Sequence, residues 1–517
     1  MTARATALLL GLAAASAWAQ PRPDEDTLFG GAPDAGTRAP SAAAPPIIAP
    51  APEPDRGSAG GEQQILTGPP AADAFAKGLV KEDALKIGGQ FYIRSITTFL
   101  QDQSVGEARF ALPTLVDVYL DARPIEQLRA FVLGRLIYDP LLASNVLLTG
   151  VPGNTAGLQS VSNPAVYLDQ AWLSFDIART VFITAGRQHV TWGVTRYFNP
   201  SDFLASRPRD PLAIFDVRLG VSMLRVQVPW EKAGWNFTAV ALFEPTQTIS
   251  GEGTTIGGGG GSVNVVTGTS STSNGLLQDI GGAARIEFGF KGGAAGIQAL
   301  AQENRVWRVG ADVTAGLGDF DLYSEVVLKG GLDLPPPSAI VVPGVYSGYA
   351  FGPVSQPSIP VVQAVGGFTY SFNIEGNKSL TLGAEYFFNS ASATSQQYPN
   401  LIFQGAYQPF YVGQNYLAAS ATWVDTTAKT TWVLTEIGNL TDVTFISRVD
   451  FLITVLSYLQ VEAFVAVEYG HLGGEFRLGF DIPGVLINTG ASTPPVSTTL
   501  LVHPAIVQVG LGLRLAL

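Results

Sequence analysis

Residues 182–203, FITAGRQHVTWGVTRYFNPSDF, gather side chains that do chemistry elsewhere: Arg187, His189, Trp192, Arg196, Ser201 and Asp202. A histidine near a serine and an aspartate raises the possibility of a nucleophile, its base and an orienting acid. The pattern is incomplete. Only three histidines exist, His189, His471 and His503, and no nucleophile motif surrounds the first. No cluster of His, Cys or Asp has metal-ligand spacing, and cysteine is absent altogether. The glycine run at 257–262 lacks the lysine of a phosphate-cradling loop. The expectation is therefore a chain that is not an enzyme, with no cofactor and no metal site. His189 then belongs to a wall or rim.

The elements that must position these residues are set by composition and period. Of the 517 residues, 46% are hydrophobic, 58 are Gly and only 14% are charged, with a mean hydropathy of +0.24. Soluble domains carry about 25% charged residues, so this chain is short of charge to face water. The formal charge of −12 offers no basic face to neutralise phosphates, which excludes a nucleic-acid partner.

Residues 1–19 read as a secretory signal peptide: Arg4, an apolar run through Ala15, then Ala17 and Ala19 before the cleavage point. Residues 20–70 are rich in Pro, Ala and Asp and cannot bury enough apolar surface to offset ordering, so a disordered periplasmic linker is expected. Residues 71–84 form a short helix or lead-in, with Phe75 and Leu79 on one face.

From 85 to 517 the period becomes two. In LKIGGQFYIRSI, Leu85, Ile87, Phe91 and Ile93 alternate with Lys86, Gln90, Tyr92 and Arg94. FDLYSEVVLK, LQVEAFVAVEY and the terminal AIVQVGLGLRLAL repeat the pattern over about ten residues, the length of a tilted membrane-crossing strand. Short turns near 123–127, 177–180, 229–234, 291–293, 318–319 and 374–377 take every second connection. Long loops near 139–163, 191–216, 244–278, 330–360, 390–414 and 470–504 take most of the others. That asymmetry predicts an all-β, transmembrane, antiparallel up-and-down β-barrel of about eighteen strands (16 to 20), with the short turns on the periplasmic side. Trp172, Trp230, Trp235, Trp307, Trp423 and Trp432 are expected in interfacial aromatic belts.

GRQHVTWG, followed by NPSD at 199–202 and RDPL at 209–212, resembles the G-R-Q…W-G…N-P-x-D strand-and-loop signature of bacterial outer-membrane porin and porin-like families. The resemblance spans about residues 85–517. It implies an outer-membrane channel for passive diffusion of small polar solutes. The alternatives are a dedicated exporter or importer of a carbohydrate polymer or oligosaccharide, and a structural or adhesion barrel with a blocked lumen. Such barrels commonly end in an aromatic residue, whereas this chain ends in Leu517.

Alternation assigns Arg94, Asp117, Arg129, Arg135, Arg225, Arg285, Glu287, Asp312, Glu325, Glu385 and Arg448 to the lumen. The loop after Trp192, with Arg196, Asp202, Arg207, Arg209 and Asp210, is the candidate pore constriction if it folds inward. Pairing Phe175 with Val181 and Leu173 with Ile183 predicts a structural pair between Asp169 and Arg187 on the apolar face. The expected partners are outer-membrane lipid and small polar solutes. A homo-oligomer, and a periplasmic partner reached through the N-terminal linker, complete the set.

Overall fold

The computed structural model describes residues 85–125, 127–141, 164–205, 208–213, 218–243, 253–256, 263–266, 280–303, 305–332, 343–374, 377–403, 406–487 and 496–516. The expected signal peptide (1–19), linker (20–70) and lead-in (71–84) lie outside the described residues, as does Arg207.

Period-two sequence becomes eighteen long strands. The first six are β1 (Leu85–Leu100), β2 (Thr114–Ile125), β3 (Leu128–Tyr138), β4 (Ala165–Ile177), β5 (Val181–Gln188) and β6 (Val221–Trp230). There follow β7 (Trp235–Leu242), β8 (Gly281–Phe290), β9 (Gly293–Gln302), β10 (Arg305–Leu317), β11 (Phe320–Lys329) and β12 (Val361–Ile374). The last six are β13 (Lys378–Asn389), β14 (Asn415–Asp425), β15 (Thr430–Asn439), β16 (Thr444–Leu456), β17 (Leu459–Gly470) and β18 (Ala505–Ala516). Each pairs antiparallel with its chain neighbours, and β18 closes on β1 from Gln90↔Ala516 to Leu100↔Ala505. Closure leaves no unpaired edge, the condition for a sheet to sit in hydrocarbon.

Direct cross-strand partners share a face, so the ladders divide inside from outside. Val118, Leu120, Val132, Leu173, Leu511 and Leu513 form part of an exposed apolar outer surface, while Asp117, Arg135, Arg285 and Gln508 on the opposite face are buried. At one end of the barrel the strands are joined through only two to four residues each, at 126–127, 178–180, 231–234, 291–292, 318–319, 375–377, 426–429 and 457–458. The other end carries the long connections 101–113, 139–164, 189–220, 243–280, 330–360, 390–414 and 471–504, with short exceptions at 303–304 and 440–443. The last long loop contains a hairpin, Phe480–Ile487 with Val496–Val502.

Near the short-turn end, aromatic rings cluster on the outer face. Trp235 lies 5.7 Å from Trp230 and 5.0 Å from Phe288, Phe320 lies 4.5 Å from Tyr370, and Trp432 lies 4.5 Å from Phe451, as ring centroids. Trp172 departs from the expected belt. It pairs with Gly186, which pairs with the fully buried Met223, so its ring is on the inner face.

Candidate functional site: the barrel lumen

The inner wall of β1–β4 and β18 is built from opposite charges on adjacent strands. Arg135 binds Asp117 through two nitrogens, at 2.8 and 3.1 Å, and reaches Asp169 at 3.2 Å. Gln90 donates to Asp117 at 2.7 Å and accepts from Arg514 at 2.9 Å. Arg129 binds Asp121 in the same forked way, at 2.9 Å for both contacts. Across the barrel, Arg285 bridges Asp312 (2.6 Å) and Glu287 (3.0 Å). Planar guanidinium forks meeting carboxylates suit neighbouring strands, where paired side chains stand about 5 Å apart. Arg94 faces Glu462 at 3.4 Å, and the Phe464 ring receives both Arg94 and Arg448, at 4.1 and 4.4 Å from its centroid. Arg225 lies on the inner face opposite Thr184.

The described part of the connection at 189–205 folds into this interior and is held there by two wall glutamates. Glu325 on β11 accepts the backbone N–H of Val194 (2.5 Å) and Thr195 (2.9 Å), the Thr195 hydroxyl (2.8 Å) and the Ser201 hydroxyl (2.6 Å). Glu385 on β13 accepts the next three N–H groups, from Arg196 (2.9 Å), Tyr197 (3.3 Å) and Phe198 (2.7 Å). Successive N–H groups converging on a carboxylate make a concave anion cradle, here filled by the protein's own wall. Further ties come from Arg305 to the Phe203 carbonyl (2.7 Å) and from Arg448 to the Leu212 carbonyl (2.9 Å).

The same geometry places the other residues of the 193–210 stretch. Gly193 has φ of +102°, and a Cβ there would lie 2.3 Å from Asn199 Oδ1 and 2.5 Å from Glu325 Oε1. Asp202 is buried against Arg218 at 2.7 Å. Arg196 donates to Thr369 Oγ1 at 3.1 Å. Arg209 is half-buried, whereas Asp210 is exposed and accepts the Leu212 N–H at 2.9 Å, closing a turn. Arg196 and Asp202 thus enter the barrel interior, and Asp210 turns to solvent.

The loop also packs on apolar wall, which alternation alone does not foresee. Phe198 joins Tyr411 of the 390–414 connection and Val365, Phe387, Tyr416, Ile437, Ile446 and Phe464 of β12–β17 in one buried cluster. Trp192, Phe203 and Leu204 join Met223, Val240, Leu242, Leu300 and Val327 in another on β6–β11. The inner face of these arcs is therefore greasy where loops cover it. A legible signal was present in inward positions such as Phe387, Tyr416 and Ile437, which break the polar-inside rule. Above the first cluster, Glu475 in the 471–479 segment accepts from Tyr416 (2.6 Å) and Asn439 (2.8 Å), and its own N–H donates to Asp442 (2.7 Å). Burial first, then the Asp442 charge, pushes its pKa up to about 8.

The Asp169–Arg187 pair requires correction. The β4–β5 register runs two residues from the expected one, pairing Ile177 with Val181, Leu173 with Ala185, and Ala171 with Arg187. The cause of Asp169's new orientation is a bulge. Leu133 pairs with Gln170 and Gly134 with Leu168, leaving Asp169 as an extra residue turned from the outer face to the inside. There it meets Arg135, His189 Nε2 at 2.9 Å and the Gly220 N–H at 3.0 Å. His189 thus sits against Asp169.

No protein-family model matches the chain, and neither does any curated protein. Among solved structures it is similar to OpdK of Pseudomonas aeruginosa with vanillate, at a TM-score of 0.45 and 12% identity over 84% of this chain and 98% of that one. OccAB4 of Acinetobacter baumannii gives a TM-score of 0.45 at 8% identity, again over 84% and 98%. A BenF-like porin from Pseudomonas fluorescens Pf-5 gives 0.46 at 9% identity, over 84% and 99%. At such distance, what the barrel does must be read from its own lumen.

Proposed function

We propose that the protein is an outer-membrane channel through which small polar solutes diffuse passively, narrowed by the loop at 189–220. The observation that carries this reading is the closed eighteen-strand barrel with an apolar exterior and forked ion pairs inside, crossed by a loop bound to Glu325 and Glu385. An apolar outside needs lipid, and a charged inside needs water. Arginine–carboxylate pairs along the wall give the passage a charged lining that favours polar, hydrated solutes over apolar ones. The short-turn end, where both ends of the barrel domain emerge, is periplasmic in this reading, and the long loops face outward.

Purified full-length protein reconstituted into planar bilayers tests the proposal. Stepwise, ohmic single-channel currents in salt are expected. A protein that inserts but conducts nothing would favour a barrel with a blocked lumen. The expected homo-oligomer is tested in the same preparation by cross-linking before and after extraction.

A further inference from the structure

The outer wall carries almost no charge, and its two exceptions have opposite signs. Among the described outward positions of the eighteen strands, charged side chains stand away from the short-turn rim at two places, Arg187 on β5 and Glu436 on β15. A third place, Lys378 with Asp425, lies at that rim and is closed within the chain at 3.5 Å. Register sets the two faces. Arg187 pairs with Ala171 and Ser222, and its neighbours Gly186 and Gln188 are on the inner side. Glu436 pairs with Ala419 and Ser447, between the buried Thr435 and Ile437.

Each is the seventh residue of its strand, counted from the short-turn end. At about 3.3 Å per residue and a tilt of about 40°, that places both roughly 15 Å up the wall, inside an apolar band about 25 Å tall. Exposed apolar side chains surround both: Leu168, Leu173 and Phe243 near Arg187, and Leu417, Leu434 and Val449 near Glu436. Above Glu436, Leu440 and Val443 carry the apolar surface to the tip of the 440–443 connection. The Ser447 and Tyr469 hydroxyls donate to Glu436, the second at 2.7 Å, but among the described residues no cation pairs with it. A carboxylate kept in hydrocarbon by hydroxyls alone is costly, and a cation brought against it relieves that cost.

The cation of matching depth is Arg187 of another copy. Both charges are flanked across the neighbouring strands by short side chains, Ala171 and Ser222 for one, Ala419 and Ser447 for the other, which leaves room for a facing side chain. β5 and β15 are ten strands apart in a ring of eighteen, so the two faces look in nearly opposite directions. We propose that copies of this chain associate head to tail in the membrane plane, Glu436 of one against Arg187 of the next. Such a contact joins two different faces, and with those faces nearly opposite it propagates as a row instead of closing into a small ring. The proposal goes beyond the channel reading and needs only that the barrel sit in lipid.

The chain has no cysteine, so introduced thiols report contacts without background. Full-length protein carrying both Ala419→Cys and Ser222→Cys, which stand beside the two charges and leave them in place, is reconstituted in phosphatidylcholine vesicles and treated with a short bismaleimide. A ladder of dimers, trimers and higher species is expected, whereas a mixture of the two single variants should stop at dimers with one of each. Adding Glu436→Gln should lower the cross-linked fraction about tenfold at low protein density. Glu436→Asp, which keeps the charge, should retain most of it, and exchanging the charges through Glu436→Arg with Arg187→Glu should restore it. Heat-modified gel mobility establishes that each variant is a closed barrel. Absence of cross-links, or cross-linking indifferent to Glu436→Gln, overturns the proposal. So does Ala419→Cys linking to itself, which marks a two-fold contact, or a ladder that ends at three, which marks a closed trimer.

Discussion

Glu385 accepts three successive backbone N–H groups, and Glu325 takes the two before them. Replacing Glu385 with Ala orphans buried donors, each costing about 1–3 kcal/mol when left unpaired. The loop should then leave the wall, giving a higher single-channel conductance and faster proteolysis within 191–203. Gly193→Ala acts from the other side of the same contact. Its Cβ would collide with Asn199, Glu325 and Ser201 in a backbone region L residues avoid, so the docked loop should lose about 1–3 kcal/mol. Intact conductance and proteolytic pattern in both variants would count against the pinning of the loop by the wall. At this scale the sequence was partly legible. Alternation marks Glu325 and Glu385 as inward, yet nothing in a strand's own letters says that its partner is a loop more than a hundred residues away. Asp169 was misplaced because a single extra residue reverses the face of everything beyond it, and bulges leave no period of their own.

Among elements, the 471–479 segment is the one with a built-in pH response. Glu475 has a folded pKa of about 8 against an ordinary 4.5. A carboxyl whose pKa is raised by burial favours the packed loop only while protonated. Its contribution is complete below about 4.5 and disappears as pH rises through about 8. Hydrogen exchange of the 471–479 amides should therefore accelerate across that window by more than the intrinsic base-catalysed rate, and Glu475→Gln should remove the excess. Burial also holds the Tyr411 phenol well above its usual range, so it stays neutral while accepting the Asn199 N–H at 3.0 Å. Strands and turns were the most legible elements, because period-two alternation and tight turns depend on local chemistry. The inward course of the loops was not, since aromatic residues such as Phe198, Phe410 and Phe476 acquire meaning only when three connections meet.

For the whole molecule, the exterior predicts which tryptophans touch lipid. Trp230, Trp235, Trp307 and Trp432 are exposed on outer positions, whereas Trp192 is buried and Trp172 faces inward. Brominated lipids should quench the first group in single-Trp variants and leave the other two nearly unaffected. Strong quenching of Trp172 would invert the assigned face of β4. Closure and strand number were legible from the count of alternating segments. The division of the interior into paired charges and loop-covered apolar wall emerges only when all eighteen strands are assembled.

The loop's long-range ties to the wall have a temporal consequence. Thr195 meets Glu325 at a separation of 130 residues, Phe198 meets Glu385 at 187, and Arg448 reaches Leu212 across 236. Contacts of such span form only after the intervening hairpins exist, so they belong to the final stage of assembly. A closed barrel is therefore expected to exist before the loop docks inside it. Protease pulses during refolding should find 191–203 cleavable after the strands are already protected.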